Sequence, residues 1–189
     1  TSAEIAVAEL IWNALDADAT VVTVELERST ESGPVTSLVV TDDGHGIGPH
    51  QIDEAFATHR ASPKSRKRTS PRGRPMHGQN GRGRFRSFAV ASRASWRTWG
   101  ENELGEVIGN EVTLRSDRAT VGSVRDLETS QRDLDSRTGT RATLTLHDSQ
   151  KAAKVSDEGF RSRLEAVMAA TLLSVTDATV TFDGDELDP

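Results

Sequence analysis

The chain has no cysteine among its 189 residues. A disulfide framework, thiolate metal sites and cysteine nucleophiles are therefore excluded, which is compatible with a reducing compartment; a cytoplasmic location is expected. Long apolar runs are missing too: stretches such as Val167 to Leu173 are far too short to span a bilayer, and no charged-then-apolar leader stands at the start. No partnership with a membrane is expected. The five histidines, His45, His50, His59, His77 and His147, show no H-E-x-x-H or paired helical spacing, so a histidine-metal centre is not expected. No repeat of fixed period occurs. Acidic residues are absent from Phe56 to Gly100, where twelve of the 23 Lys and Arg lie. The rest of the chain then has 11 basic against 29 acidic residues, a balance of −18 within a net charge of −6. Such asymmetry suits one segment that meets an anion, a polyphosphate or nucleic acid, or else a solvated basic loop.

What is present suits one domain over 1–189, long enough to bury a core without staples. The chain opens on Thr1 at a helix start, so a longer parent protein is expected. Thr1-x-x-Glu4 fits a capping box, and Val7, Leu10, Ile11 and Ala14 follow at helical spacing to about Asp16. Val22, Val24 and Leu26 alternate with polar residues, a turn covers Ser29 to Pro34, and an extended pattern resumes from Val35 to Thr41, which predicts a β-hairpin. Pro49 suits the first turn of a helix running to about Thr58. From His59 to Gly83 the sequence is rich in Ser, Pro, Gly and Arg with scarcely an apolar residue, and is expected to be a mobile lid. A short helix over Phe85–Ala91, strands over Ser95–Trp99, Val112–Arg115, Thr120–Leu127 and Arg141–His147, a helix over Phe160–Leu173 and a strand over Ala178–Phe182 complete the expectation. Helices interleaved with adjacent strands predict an α+β layer.

Several residues have the chemistry for a site. Glu9, Asn13 and Asp16 stand at i, i+4 and i+7, on a polar stripe opposite the apolar one. That stripe is either an ordinary solvated face or, given the flanking Ile5 and Trp12, the wall of a pocket. A carboxylate beside a carboxamide in a pocket activates water and holds a hard cation through oxygen. Asp42-Asp43-Gly44-His45-Gly46-Ile47-Gly48 follows a strand; alternate glycines let the backbone approach a flat ligand, and an Asp accepts from a donor such as the amino group of adenine. It lacks the further oxygen ligands and distal Glu of a calcium loop. Gly78-Gln79-Asn80-Gly81-Arg82-Gly83 precedes a helix and offers backbone N–H groups to phosphate, with Arg82, Arg84 and Arg86 adding charge. It fits neither a P-loop nor a dinucleotide fingerprint, since a basic loop and not a strand precedes it. Gly139-Thr140 opens a strand, where the hydroxyl either lies near the Asp42 loop or merely favours the strand.

In order, Glu9-Leu-Ile-Trp-Asn13-Ala-Leu-Asp16-Ala, Asp42-x-Gly44-x-Gly46, Gly78-Gln-Asn-Gly81-Arg-Gly83 and Gly139-Thr140 resemble the four-motif signature of the GHKL superfamily. That superfamily includes DNA gyrase, the ninety-kilodalton heat-shock chaperones, histidine kinases and MutL, and the resemblance runs from Glu9 to about Leu146. It implies the Bergerat fold, a two-layer α/β sandwich in which a mixed sheet is covered on one face by helices, with ATP between the helix layer and a flexible lid. It implies that Glu9 is the general base, that Asn13 holds Mg²⁺, and that Asp42 reads the adenine amino group with Thr140 nearby. Asp16, Gly44, Gly46 and Ile47 fall in the same ATP-binding motifs. Gly78, Gln79, Asn80, Gly81, Arg82, Gly83 and Arg84 match the lid around the phosphates, and Lys64 is similar to a Lys of the corresponding MutL stretch.

The implied activity is Mg²⁺-dependent ATP hydrolysis, slow in an isolated domain, that drives shape change or homodimerisation in a larger protein. A chaperone-like parent is the first expectation. A DNA-handling ATPase of MutL or gyrase type is the alternative, and a sensor without turnover is a third class, against which Glu9 argues. Nucleic acid binding by the basic lid is not favoured.

Overall fold

The computed structural model describes residues 2–56, 69–77, 86–146 and 148–189, with the backbone alone for 118–122. Helix α1 (Ala3–Asp16) leads into the hairpin of β1 (Val21–Arg28) and β2 (Val35–Asp42). A 3-10 turn at Pro49–Gln51 and the short α2 (Ile52–Phe56) follow. A second 3-10 turn, Ser87–Ala89, precedes the meander β3 (Arg93–Glu101), β4 (Val107–Arg115) and β5 (Arg118–Leu127). The chain then forms β6 (Gly139–Thr145), α3 (Ser149–Ser156), α4 (Phe160–Ser174), β7 (Thr179–Phe182) and β8 (Asp185–Glu186).

These strands make one eight-stranded sheet in the order β5-β4-β3-β6-β2-β1-β7-β8. Every pairing is antiparallel except β1 with β7, so the sheet is mixed. One face is apolar because the strands alternate. Leu38, Leu144, Ala94 and Leu114 stand opposite one another across β2, β6, β3 and β4, and Val40, Ala142, Trp96 and Val112 form the next row. Both rows belong to the main core, together with Val7, Leu10 and Ile11 of α1 and Phe160, Leu164 and Met168 of α4. Fully burying side chains of this kind contributes roughly 1.5–3 kcal/mol each relative to leaving them exposed. The result is the α+β two-layer architecture expected from the sequence. On the other face, Trp99 packs with Leu127 and Leu134, and Gly109 leaves room for its indole, whose ring a Cβ there would meet at 2.4 Å.

Local details differ from expectation. The cap of α1 is Ser2, whose Oγ accepts from Ile5 N–H at 3.4 Å, in place of Thr1. Of the helix expected over Phe85–Ala91, Phe85 lies outside the described residues, Arg86 is helical and Ser87–Ala89 form a 3-10 turn. Helix α3, capped by Asp148 through Gln150 N–H at 2.8 Å, was not expected, because only Ala152 and Val155 are buried along it.

Of the stretch expected to be a mobile lid, His59–Gly83, the described residues 69–77 are docked on the domain. The Arg74 guanidinium, 7 % exposed, donates to Ala19 O at 2.6 Å and pairs with Asp177 at 2.7 Å. Ser70 Oγ and Arg72 N–H donate to the Asp18 carboxylate. Polar bonds replace the apolar packing that the segment cannot supply.

Candidate functional site

The third row across the helix-facing side of the sheet changes character. Where the first two rows are apolar, this one reads Asp42, Thr140, Thr98 and Asn110, paired in register across β2, β6, β3 and β4. Asp42 is 9 % exposed, Thr98 is fully buried and Asn110 is 3 % exposed. A polar row buried at the edge of an apolar core is costly unless it is hydrogen-bonded. Thr98 meets this demand at several points: Ile47 N–H donates to its Oγ1 at 2.8 Å, and that oxygen lies 3.1 Å from Thr140 Oγ1 and 3.3 Å from Gly139 O. The Asn110 side-chain amide nitrogen has no partner among the described residues.

Asp42 and Asp43 are neighbours with opposite fates. Asp43 is a hook: its carboxylate accepts Thr20 N–H at 2.7 Å, Val21 N–H at 2.8 Å and the Thr20 hydroxyl at 2.5 Å. Burial works against its charge, but these bonds outweigh burial and hold its pKa below the usual carboxylate value. Asp42 accepts from Gly44 N–H at 2.9 Å. Burial pushes its pKa up to about 7, with the Asp43 charge adding to the rise and the Gly44 and Thr140 N–H groups opposing it. Asp42 is thus a buried carboxylate whose charge a further donor would stabilise.

The glycines around them are required by contact. Gly46 has φ +66°, and a Cβ there would lie 2.1 Å from Trp99 O. Gly139, with φ +146°, brings Asp42 O to 2.1 Å from where its Cβ would be. Gly44 would place a Cβ 2.7 Å from Ala17 O, whose acceptor is used by His45 N–H at 2.9 Å. The loop therefore lies directly on the end of α1 and the ends of β3 and β6.

Helix α1 forms the opposing wall. Of its polar stripe, Glu9 and Asp16 are buried and Asn13 is exposed. Arg86 Nη1 donates to Glu9 Oε1 at 2.5 Å. Asp16 Oδ1 accepts His77 N–H at 2.8 Å, while the His77 ring Nδ1 stands 3.5 Å from it, too far for a good hydrogen bond. The same imidazole stacks on Trp12 with ring centres 5.6 Å apart, and its Nε2 lies 3.3 Å from Thr171 Oγ1, which accepts the Trp12 indole N–H at 2.9 Å.

The structure places Glu9, Asn13 and Asp16 along α1, sets Gly44 against Ala17 at the end of that helix, and links Asp42, Ile47 and Thr140 across β2, β6 and β3, with Gly46 against Trp99. Lys64 and Gly78, Gln79, Asn80, Gly81, Arg82, Gly83 and Arg84 lie outside the described residues. Sequence reading missed Thr98, Asn110 and His77. For Thr98 a signal existed: the alternation Ala94, Trp96, Thr98 keeps it on the core-facing side. Among the described residues, no cluster of three or more His, Asp or Glu could hold a metal ion. No helix of the described residues is long and apolar enough to cross a membrane. A separate open depression of about 470 Å³ lies at the far end of α1, lined in part by Glu4, Asp157 and Arg163. Three of its charges satisfy one another, Arg163 pairing with Glu4 at 2.7 Å and Asp157 at 2.8 Å.

Comparison with known proteins agrees with this arrangement. The family model for histidine kinase-, DNA gyrase B- and HSP90-like ATPases matches residues 1–126. Over 56 residues the chain is 48 % identical to the DNA mismatch repair protein MutL of Janthinobacterium sp. (strain Marseille) and 46 % identical to that of Herminiimonas arsenicoxydans. Each stretch is 30 % of this chain and 8 % of the relative, so only a small part of those proteins is matched. The solved Aquifex aeolicus MutL ATPase domain complexed with ADP shares the fold, with a TM-score of 0.56 at 17 % identity, over 98 % of this chain and 62 % of that one. With the motif order, the two-layer fold and the family match in agreement, the chain belongs to the histidine kinase-, DNA gyrase B- and HSP90-like (GHKL) ATPases.

Proposed function

We propose that residues 1–189 form an ATP-binding domain that hydrolyses ATP with Mg²⁺ and drives a change of shape, or homodimerisation, in a longer protein. The observation that carries this reading is the buried Asp42 carboxylate at the end of an apolar sheet face, raised in pKa and set beside Thr140 under the Gly44–Gly46 loop. A desolvated carboxylate gains from a ligand that donates a hydrogen bond, and the amino group of adenine is such a donor. The glycines let the backbone approach the face of a purine.

The donor set suits Mg²⁺ as well. That ion keeps several waters and takes few protein ligands beside substrate phosphates, so the exposed Asn13 carboxamide on α1 suffices without a carboxylate cage. Bound there, Mg²⁺ supplies charge neutralisation at the phosphates. Glu9, one turn before Asn13 on α1, orients a water and accepts its proton. Lys64 and the Gly78–Arg84 segment are assigned to the phosphates, as the lid, on the motif resemblance. The homodimer and the single-domain extent are part of the same proposal.

On the parent protein, the 46–48 % identity to MutL over 56 residues favours a MutL-type ATPase over the chaperone-like parent ranked first from sequence. Stable DNA binding by this domain alone is not part of the proposal, because the surface outside residues 56–100 has a balance of −18.

Calorimetric titration with ATP, ADP and GTP, each with and without Mg²⁺, tests the reading. Both adenine nucleotides are expected to bind at least tenfold more tightly than GTP, whose ring bears a carbonyl where adenine has its amino group. Equal affinity for ATP and GTP would remove the Asp42 assignment.

A further inference from the structure

Arg86, which the sequence reading credits only with adding charge near the phosphates, is put by the structure in contact with the proposed general base. Its Nη1 donates to Glu9 Oε1 at 2.5 Å. The two ends of this pair differ. Glu9 sits on a rigid helix with a side chain 11 % exposed, whereas the Arg86 side chain is 44 % exposed and approaches from the solvent side.

The Arg86 backbone is held firmly beside α1. Ser87, the next residue, is 1 % exposed, its carbonyl accepts Val90 N–H at 3.1 Å and Ala91 N–H at 2.9 Å, and Val90 and Ala91 are fully buried in the main core. The guanidinium therefore moves on its own side-chain torsions while its base stays fixed. In sequence it follows Gly81 and Gly83, which are assigned to phosphate, by a few residues.

We propose that Arg86 is a counter-ion shared between Glu9 and the terminal phosphate of ATP, clasping Glu9 in one arrangement and the phosphate in the other. The inference rests on the reading of this site as an ATP site with Glu9 as base. A guanidinium presents a planar fork of donors, and a terminal phosphate offers it three oxygens and more charge than one carboxylate. Phosphate thus competes effectively for the arm. Arg86 occupies Glu9 Oε1 and leaves Oε2 to a water proton, so transfer of the arm returns the second oxygen to the base. ADP lacks the phosphate that draws it away.

The test is a double-mutant cycle read by calorimetry on the full-length protein, with a non-hydrolysable ATP analogue and with ADP. Glu9→Gln releases the arm and is expected to tighten analogue binding about fivefold while leaving ADP within about twofold, and the gain is expected to vanish in an Arg86→Ala background. Arg86→Lys, which keeps the charge but not the fork, is expected to recover part of the analogue affinity that Arg86→Ala loses. If Arg86→Ala does not fold, Arg86→Gln takes its place in the cycle.

A Glu9→Gln gain that persists undiminished without Arg86, or that is equal for ADP, overturns the proposal while leaving Glu9 as base. A coupled cycle together with hydrolysis that survives Glu9→Gln removes the base assignment and leaves Arg86 as a phosphate ligand. Binding of neither nucleotide removes both.

Discussion

Replacing Asp42 by Asn separates what the fold gains from what the ligand gains. The substitution keeps shape, and the Asn oxygen can still accept Gly44 N–H, now at 2.9 Å. The folded-state pKa of Asp42 is about 7 against an ordinary 3.8. At 1.36 kcal/mol per unit, holding the charged form in the fold costs at most about 4 kcal/mol. The sign follows from linkage: a raised carboxylate contributes stability that is full below about pH 4, falls as pH rises toward about 7, and is gone above it. Asn escapes that loss but must bury an amide, so the expected net gain is about 1–3 kcal/mol at pH 8 and little at pH 5.

For the ligand the effect reverses. With the Asn oxygen turned to Gly44, its NH₂ faces the adenine amino group, donor against donor. Losing a charge-assisted bond and adding that opposition costs about 2–3 kcal/mol, roughly 30- to 150-fold in affinity. Wild-type affinity for ATP is expected to fall as pH drops below about 7, with proton release on binding there; the variant is expected to lose this dependence. Denaturant unfolding at pH 5 and pH 8 and calorimetry across the same range measure both halves. A variant that is less stable at pH 8, or that binds ATP unchanged, refutes the reasoning.

Three further outcomes are expected. Glu9→Ala keeps nucleotide binding and lowers turnover of the longer parent protein by about 10² to 10⁴, measured as phosphate release; surviving hydrolysis excludes Glu9 as base. Gly46→Ala forces a side chain into φ +66° within 2.1 Å of Trp99 O, and is expected to lose nucleotide binding and about 2 kcal/mol or more of stability, read by melting and titration. Arg74→Ala removes the guanidinium bonded to Ala19 O and Asp177, and is expected to cost about 2–3 kcal/mol and to open residues 69–77 to protease; an unchanged cleavage pattern counts against that anchor.

How far the sequence reaches depends on the range of the interactions. Helix α1, the hairpin and α4 were legible because their apolar periods repeat several times, as in Val7, Leu10, Ile11 and Ala14. Asp42 could be singled out from Asp43 only through the motif, since composition gives two adjacent carboxylates no distinction. What separates them is that Asp43 meets Thr20 and Val21 across the chain. The anchoring of residues 69–77 was not legible, because its partners, the Asp18 and Asp177 carboxylates and the Ala19 carbonyl, are remote in sequence and form no periodic pattern. Asn110 escaped for a related reason: alone it looks like the frayed end of a strand, and only the register places it beside Thr98.

The strand order has a consequence for how the chain is made. β6, from residues 139–145, sits between the β1–β2 hairpin and the β3–β4–β5 meander, so the two earlier pieces share no ladder until it arrives. The outer edge of β1 waits longer still, for β7, its single parallel partner. At 5–20 residues per second, the ~150 residues between β1 and β7 take on the order of 10 s to synthesise, during which that edge is open to other chains. A nascent chain stopped after β5 has both halves of the sheet and no seam to join them. Truncation near the end of the family match is therefore expected to give aggregates and not a smaller domain.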